Sequence, residues 1–127
     1  MNHQTDTIDL DDLVDRYLAI WNDTDPAGRR GKIDTLFAGD GRYVDPLATA
    51  SGRGEFDELV DGAQRQFAGL TFRRGRVFDA HHDLARFTWE LVTGPDAEPI
   101  AVGFDVVEVD STGRITRVSG FIDSMPA

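Results

Sequence analysis

Apolar residues recur at helical spacing near the start of the chain and at strand spacing through its second half. Leu10, Leu13, Val14, Tyr17, Leu18 and Trp21 fall three or four residues apart, one stripe of an amphipathic helix. Asp9, Asp11 and Asp12 stand at its beginning, where unpaired N–H groups favour negative charge. Asp25-Pro26 reads as an N-cap acid with proline in the first turn of a second helix. That helix turns Ile33, Leu36 and Phe37 inward and ends near Gly39. A third is predicted over residues 54–67, with Phe56, Leu59, Val60, Ala63 and Phe67 on one side.

The remaining pattern is strand. A short one over 41–45 stops at Pro46, and 48–51 can add a small partner. Four longer runs follow at 71–79, 84–93, 100–110 and 115–123. The breaks between them are His81-His82-Asp83, Gly94-Pro95-Asp96 and Asp110-Ser111-Thr112-Gly113, all turn material. They are too short for parallel crossovers, so these strands form antiparallel hairpins. Helices first and a meander afterwards make an α+β fold, one face of the sheet covering the three helices. A strongly curved sheet leaves a pocket between the layers, with Gly75, Gly103 and Gly120 as candidate bends. Residues 1–8 read as a frayed lead-in, and 9–127 as a single domain.

Within the third long strand, Asp105 shares a face with Ala101, Gly103, Val107 and Val109. The opposite face carries Ile100, Val102, Phe104, Val106 and Glu108. An acid among small and apolar neighbours resists ionising, because desolvation disfavours the charged form. Held neutral, it can donate a hydrogen bond. A strand acid paired with an arginine or a backbone N–H is the plainer alternative, and the pattern leaves both open.

Composition narrows the function classes. Net charge is -10, with 23 acidic against 13 basic residues. That field repels phosphate, so nucleic acid and anionic membrane are not expected partners. Cysteine is absent, which removes disulfides, thiolate chemistry and cysteine-based metal sites. His81 and His82 are adjacent at a turn and no third ligand has metal-site spacing, so neither metal nor cofactor is expected. No run reaches membrane-spanning length and the first residues lack the pattern of a signal peptide, so the default compartment is the cytoplasm.

Three stretches carry a family resemblance: Val14-Asp-Arg-Tyr-Leu-Ala-Ile-Trp-Asn22, Leu36-Phe-Ala-Gly-Asp-Gly-Arg-Tyr-Val-Asp-Pro46, and Gly103-Phe-Asp-Val-Val-Glu-Val-Asp-Ser-Thr-Gly-Arg-Ile115. With the order of elements, they make the chain resemble the nuclear transport factor 2-like superfamily. Within it the resemblance is to the ketosteroid isomerase and SnoaL-like polyketide cyclase branch, and it runs over residues 10–123. It implies a cone-shaped, curved antiparallel sheet packed on three N-terminal helices, the cystatin-like arrangement. The isomerase pattern lands on Tyr17 as a donor to a substrate oxyanion, Asp45 as the base beside a carbonyl, and Asp105 as a protonated second donor. By residue type alone, Tyr17 could equally be a core residue of its stripe and Asp45 a turn acid before proline.

Trp21, Phe56 and Phe67 on the helices, and Phe87, Trp89, Val118 and Ile122 on the strands, are the candidate pocket lining, each aromatic being equally readable as a core residue. Two positions depart from relatives that hydrolyse epoxides: where those carry an arginine and a second aspartate, this chain has Gly103 and Gly120. Phe56-Asp-Glu-Leu59 also lacks the extra tyrosine that steroid isomerases often carry there. Arg73, Arg74 and Arg76 cluster on one strand and read either as partners of the many surface acids or as a solvated face. The leading expectation is cofactor-free proton transfer, an isomerisation or aldol-type cyclisation, on a small hydrophobic carbonyl compound. The alternatives are a non-catalytic protein binding a small hydrophobic ligand, and an interaction module. The apolar outer face (Val102, Phe104, Val106) makes a homodimer the expected assembly in every case.

Overall fold

Asp9 caps the first helix, its side chain accepting a hydrogen bond from the N–H of Asp12 at 3.1 Å. A computed structural model of the chain describes residues 8–125, with Val77 and Phe78 described by backbone alone. All but Ile8 of the expected lead-in lies outside the described residues. Helix α1 (Leu10–Asn22) buries Leu13, Val14, Tyr17, Leu18, Ile20 and Trp21, the stripe expected from spacing with Ile20 added and Leu10 only half-buried. Helix α2 (Pro26–Leu36) has Pro26 in its first turn and Asp25 accepting from the N–H of Gly28 at 3.0 Å. Helix α3 (Gly52–Gln66) begins two residues earlier than expected, where Gly52 takes a positive φ of 85°. There the Glu55 carboxylate accepts from the N–H of Ser51 at 2.9 Å, so the first turn is held from inside the helix.

The strands are β1 (Phe37–Val44), β2 (Thr49–Ser51), β3 (Thr71–His81), β4 (Leu84–Val92), β5 (Ala101–Val109) and β6 (Ile115–Ser124). They form one six-stranded sheet in the order β2-β1-β6-β5-β4-β3. Neighbours in sequence pair antiparallel, as the short breaks require. The β1–β6 pair is parallel, so the sheet is mixed and mostly antiparallel. These two strands are not joined by a turn, and turn lengths carry no information about them.

Helix α2 ends at Leu36, three residues short of Gly39, because Phe37 already belongs to the sheet. Its ring stacks on Phe56 of α3, centroids 4.5 Å apart and planes within 2°, fully buried. Packing against α3 overrides the helical spacing of Phe37. Helix α1 packs on β3 and α3 on β1, so the helices brace both ends of the sheet and leave its middle strands to wall a cavity. Arg74 helps fix α1, pairing with Asp11 and with Asp15 at 3.4 Å, while Arg73 binds Glu90 at 2.8 Å. Arg73 and Arg74 are therefore paired with acids of neighbouring elements, one of the two readings the sequence left open. His81 and His82 are exposed at the β3–β4 turn. Among the described residues, no helix is long and apolar enough to cross a membrane.

Candidate functional site

Two neighbouring rungs of the sheet build the site. Phe87, Asp105 and Gly120 are paired across β4, β5 and β6, and Trp89, Gly103 and Ile122 form the next rung on the same face. In each rung a glycine makes room for a larger neighbour. A methyl on Gly103 would stand 2.0 Å from the Trp89 indole, and one on Gly120 would stand 2.9 Å from Asp105 Oδ1. Gly120 also lies 3.3 Å, by the same measure, from Asp45 Cβ. The two acids, 60 residues apart in the chain, therefore share the space above one glycine.

Asp45 follows the end of β1 and is half-buried. Its Oδ1 accepts from the N–H groups of Leu47 and Ala48, each at 2.8 Å, closing the turn at Pro46. Its Oδ2 accepts from the Tyr43 hydroxyl at 2.7 Å. Three donors thus fix the carboxyl group in one orientation.

Asp105 is buried, 2% exposed. Burial pushes its pKa up to about 7; donors on Trp89 and Tyr17 pull it down, and the nearby Asp45 charge raises it. It keeps its proton through mildly acidic pH and can donate. Tyr17 is held well above the ordinary phenol value, first by burial and then by the Asp105 charge. Its hydroxyl and the Trp21 indole N–H lie near each other, both buried and, among the described residues, with no hydrogen-bond partner of ordinary geometry. Tyr43 is likewise raised by burial and by the charges of Asp105 and Asp45.

These groups open onto one cavity of about 380 Å³ between the sheet and helices α1 and α3. Tyr17, Trp21, Asp45, Trp89, Asp105 and Ile122 line it, all six of them expected from the sequence. Leu47 and Met125, 65% and 41% exposed, belong to the same lining and mark its open side. Phe56, Phe87 and Val118, expected on the wall, are instead fully buried behind it. Phe56 is taken up by its stack on Phe37, and Phe87 packs edge-on to the Tyr17 ring at 5.7 Å. Phe67 does reach the cavity. A wider depression of about 690 Å³ lies between the start of α1 and the β5–β6 turn. Its lining is charged and exposed, including Asp9, Asp12, Arg16, Asp83 and Asp110, and it contains none of the buried donors. Among the described residues no group of three or more His, Asp or Glu is arranged to hold a metal ion.

Residues 14–118 match the family model of the SnoaL-like domain. The chain belongs to this family. A solved structure of a SnoaL-like family protein from Agrobacterium tumefaciens, provisionally described as an isomerase, is 35% identical to it. The match covers 91% of this chain and 97% of that one, with a TM-score of 0.84. A provisionally described polyketide cyclase from Sinorhizobium meliloti shares the fold at 17% identity (TM-score 0.66, covering 86% and 93%). So does a protein with a ketosteroid isomerase-like fold from Catenulispora acidiphila, solved with trimethylamine, at 19% identity (TM-score 0.67, covering 85% and 82%). No curated protein matches the chain.

Two features of this SnoaL-like chain's cavity bear on its chemistry. A side chain at Gly103 or Gly120 would collide with Trp89 or Asp105 as they stand. An arginine or aspartate there would have to displace the Trp89 indole or the Asp105 carboxyl. Tyr43 was not singled out from the sequence, although the signal was present: two residues before Asp45 in an extended strand, it shares that acid's face. It comes from β1, whereas the tyrosine missing from Phe56-Asp-Glu-Leu59 would have come from α3.

Proposed function

We propose that this SnoaL-like protein catalyses a cofactor-free proton transfer on a small hydrophobic carbonyl compound. Asp45 takes the proton from the carbon next to the carbonyl, and the electron pair moves onto the carbonyl oxygen as an enolate. Tyr17 and protonated Asp105 donate hydrogen bonds to that oxygen, where fixed donors in a dry site stabilise charge by several kcal/mol. Asp45 then returns the proton to a second carbon, giving isomerisation. In an aldol-type closure the enolate carbon attacks a second carbonyl, and the proton goes to the new alkoxide. The observation that carries this reading is one cavity shared by a rim carboxyl held by three donors and a buried acid raised to about 7. Two acids set apart by their surroundings are what proton transfer beside a carbonyl needs. Asp45→Asn tests it: exchange or isomerisation of an enone should fall at least a hundredfold. Unchanged turnover would remove Asp45 from the role.

A second reading is binding without reaction, in which the occupant is a small organic cation. It is favoured by the cavity's aromatic residues Trp21, Tyr43, Phe72 and Trp89 beside three acids, Asp45, Glu58 and Asp105, with no Lys, Arg or His in the lining among the described residues. Calorimetric titration with trimethylamine, the molecule bound to the Catenulispora relative, separates the two. In either case two copies of the chain pair through the outer face of the sheet.

A further inference from the structure

Buried donors in folded proteins are almost always satisfied, so an unpartnered one calls for an explanation. Among the described residues two stand side by side, Tyr17 Oη and Trp21 Nε1, one turn apart on α1 and both on residues of the cavity lining; Trp21 lies near the Tyr17 hydroxyl and Tyr17 near Asp105, but neither donor has a hydrogen bond of ordinary geometry. Trp21 is 7% exposed and is fixed by aromatic neighbours on every side: Tyr17, Tyr43, Phe56 and Phe72, with ring centroids 5.4–6.3 Å away. Its indole cannot swing out to water without breaking those contacts. An indole N–H only donates, so what satisfies it must be an acceptor.

We propose that Trp21 Nε1 and Tyr17 Oη donate together to one acceptor oxygen of the ligand. The cavity thereby selects a compound with a carbonyl-type oxygen at its inner end over an apolar one of the same shape. This deepens the proton-transfer reading and rests on its placing of the oxygen beside Tyr17. Trp21 becomes a third donor to the developing charge and a determinant of specificity. A site built to hydrogen-bond an oxygen rejects the analogue lacking it, because its own donors are then left buried and unpaired.

The test uses acetophenone and its hydrocarbon isostere 2-phenylpropene, which differ only in C=O against C=CH₂. The chain has two tryptophans, so a nitrogen-15-labelled sample shows two indole N–H signals, and Trp89→Phe assigns them. Acetophenone should move the Trp21 signal downfield and 2-phenylpropene should not. Acetophenone should also bind about tenfold tighter than 2-phenylpropene, a preference that Trp21→Phe cuts severalfold while Tyr17 and Asp105 still donate. An equal response of Trp21 to both ligands, or no binding of acetophenone at millimolar concentration, would overturn the proposal. Should Trp21→Phe fail to fold, the spectra of the unaltered protein decide alone. Asp45→Asn binding acetophenone normally while enone turnover persists would remove the proton-transfer role and leave the donor assignment standing.

Discussion

Gly120 pairs with Asp105 across β5 and β6, and a side chain at Gly120 would meet the Asp105 carboxyl at 2.9 Å. The glycine is there for the acid opposite it. Its backbone φ is not in the positive range, so freedom of the chain is not the reason. Gly120→Ala should therefore displace Asp105 and crowd Asp45, costing about 1–3 kcal/mol by overpacking. Acetophenone affinity should drop along with urea-unfolding stability. Unaltered stability and binding would mean that the acid has room to move.

Asp105 makes stability depend on pH with a definite sign. Unfolded, it ionises near 3.8; folded, at about 7. Between those values the fold holds a proton that the unfolded chain has lost, so stability falls as pH climbs through the window and levels off above it. Asp105→Asn removes the dependence and should gain up to roughly 4 kcal/mol on the unaltered protein between pH 4 and pH 8. Denaturation curves at the two pH values measure it. Turnover should fall as pH rises through about 7, when the donor is lost, and the variant should lack that limb.

Tyr43 donates to Asp45 at 2.7 Å, and its phenol is buried. Tyr43→Phe keeps the ring contacts with Trp21 and Phe56 but frees Asp45 Oδ2. The expected loss is about 1 kcal/mol of stability. Enone turnover should drop about tenfold through kcat, because the misoriented base is felt in the transition state more than in binding. A change confined to KM would speak against this orienting role.

Arg29 was invisible to pattern reading and is the clearest example of what the sequence withholds. Nothing in Gly28-Arg-Arg-Gly31 distinguishes Arg29 from Arg30, yet Arg29 is 2% exposed and Arg30 is exposed. Its guanidinium reaches Asp57 at 2.6 Å and Gln64 at 2.8 Å on α3, with Asp61 at 3.4 Å. Arg29→Ala should cost about 3 kcal/mol, since it strands acids packed to receive a charge. Arg30→Ala should cost under 0.5 kcal/mol. Thermal unfolding of the pair gives the comparison. What could be read in advance was local: the α1 stripe, the phase of Asp105 in β5, and the turn lengths that fix antiparallel neighbours. Each depends on residues within a few positions of one another. The Arg29 network, the parallel β1–β6 pair and the strand start at Phe37 depend on elements brought together from afar. The site lay between these cases. Asp105 could be placed on its face by strand period and Asp45 only through the family resemblance, while their meeting over Gly120 needed the sheet order.

Phe104 and Phe121 are paired across β5 and β6 on the face away from the cavity, with Val102 and Val106 beside Phe104 on β5. Phe121 is 56% exposed and the other three are half-buried, so the row forms an apolar strip open to water. Burial of such a strip against its own copy gives a two-fold interface that matches apolar residues to themselves. The unaltered protein should sediment as a dimer at tens of micromolar concentration. Phe121→Glu places like charges against each other across the axis and should give a monomer with unchanged far-ultraviolet dichroism. The substitution leaves the cavity face of β6 untouched, so acetophenone binding should persist in the monomer. A monomeric unaltered protein would rule out this face as a dimer contact, and loss of binding in a folded Phe121→Glu monomer would show that pairing helps shape the cavity.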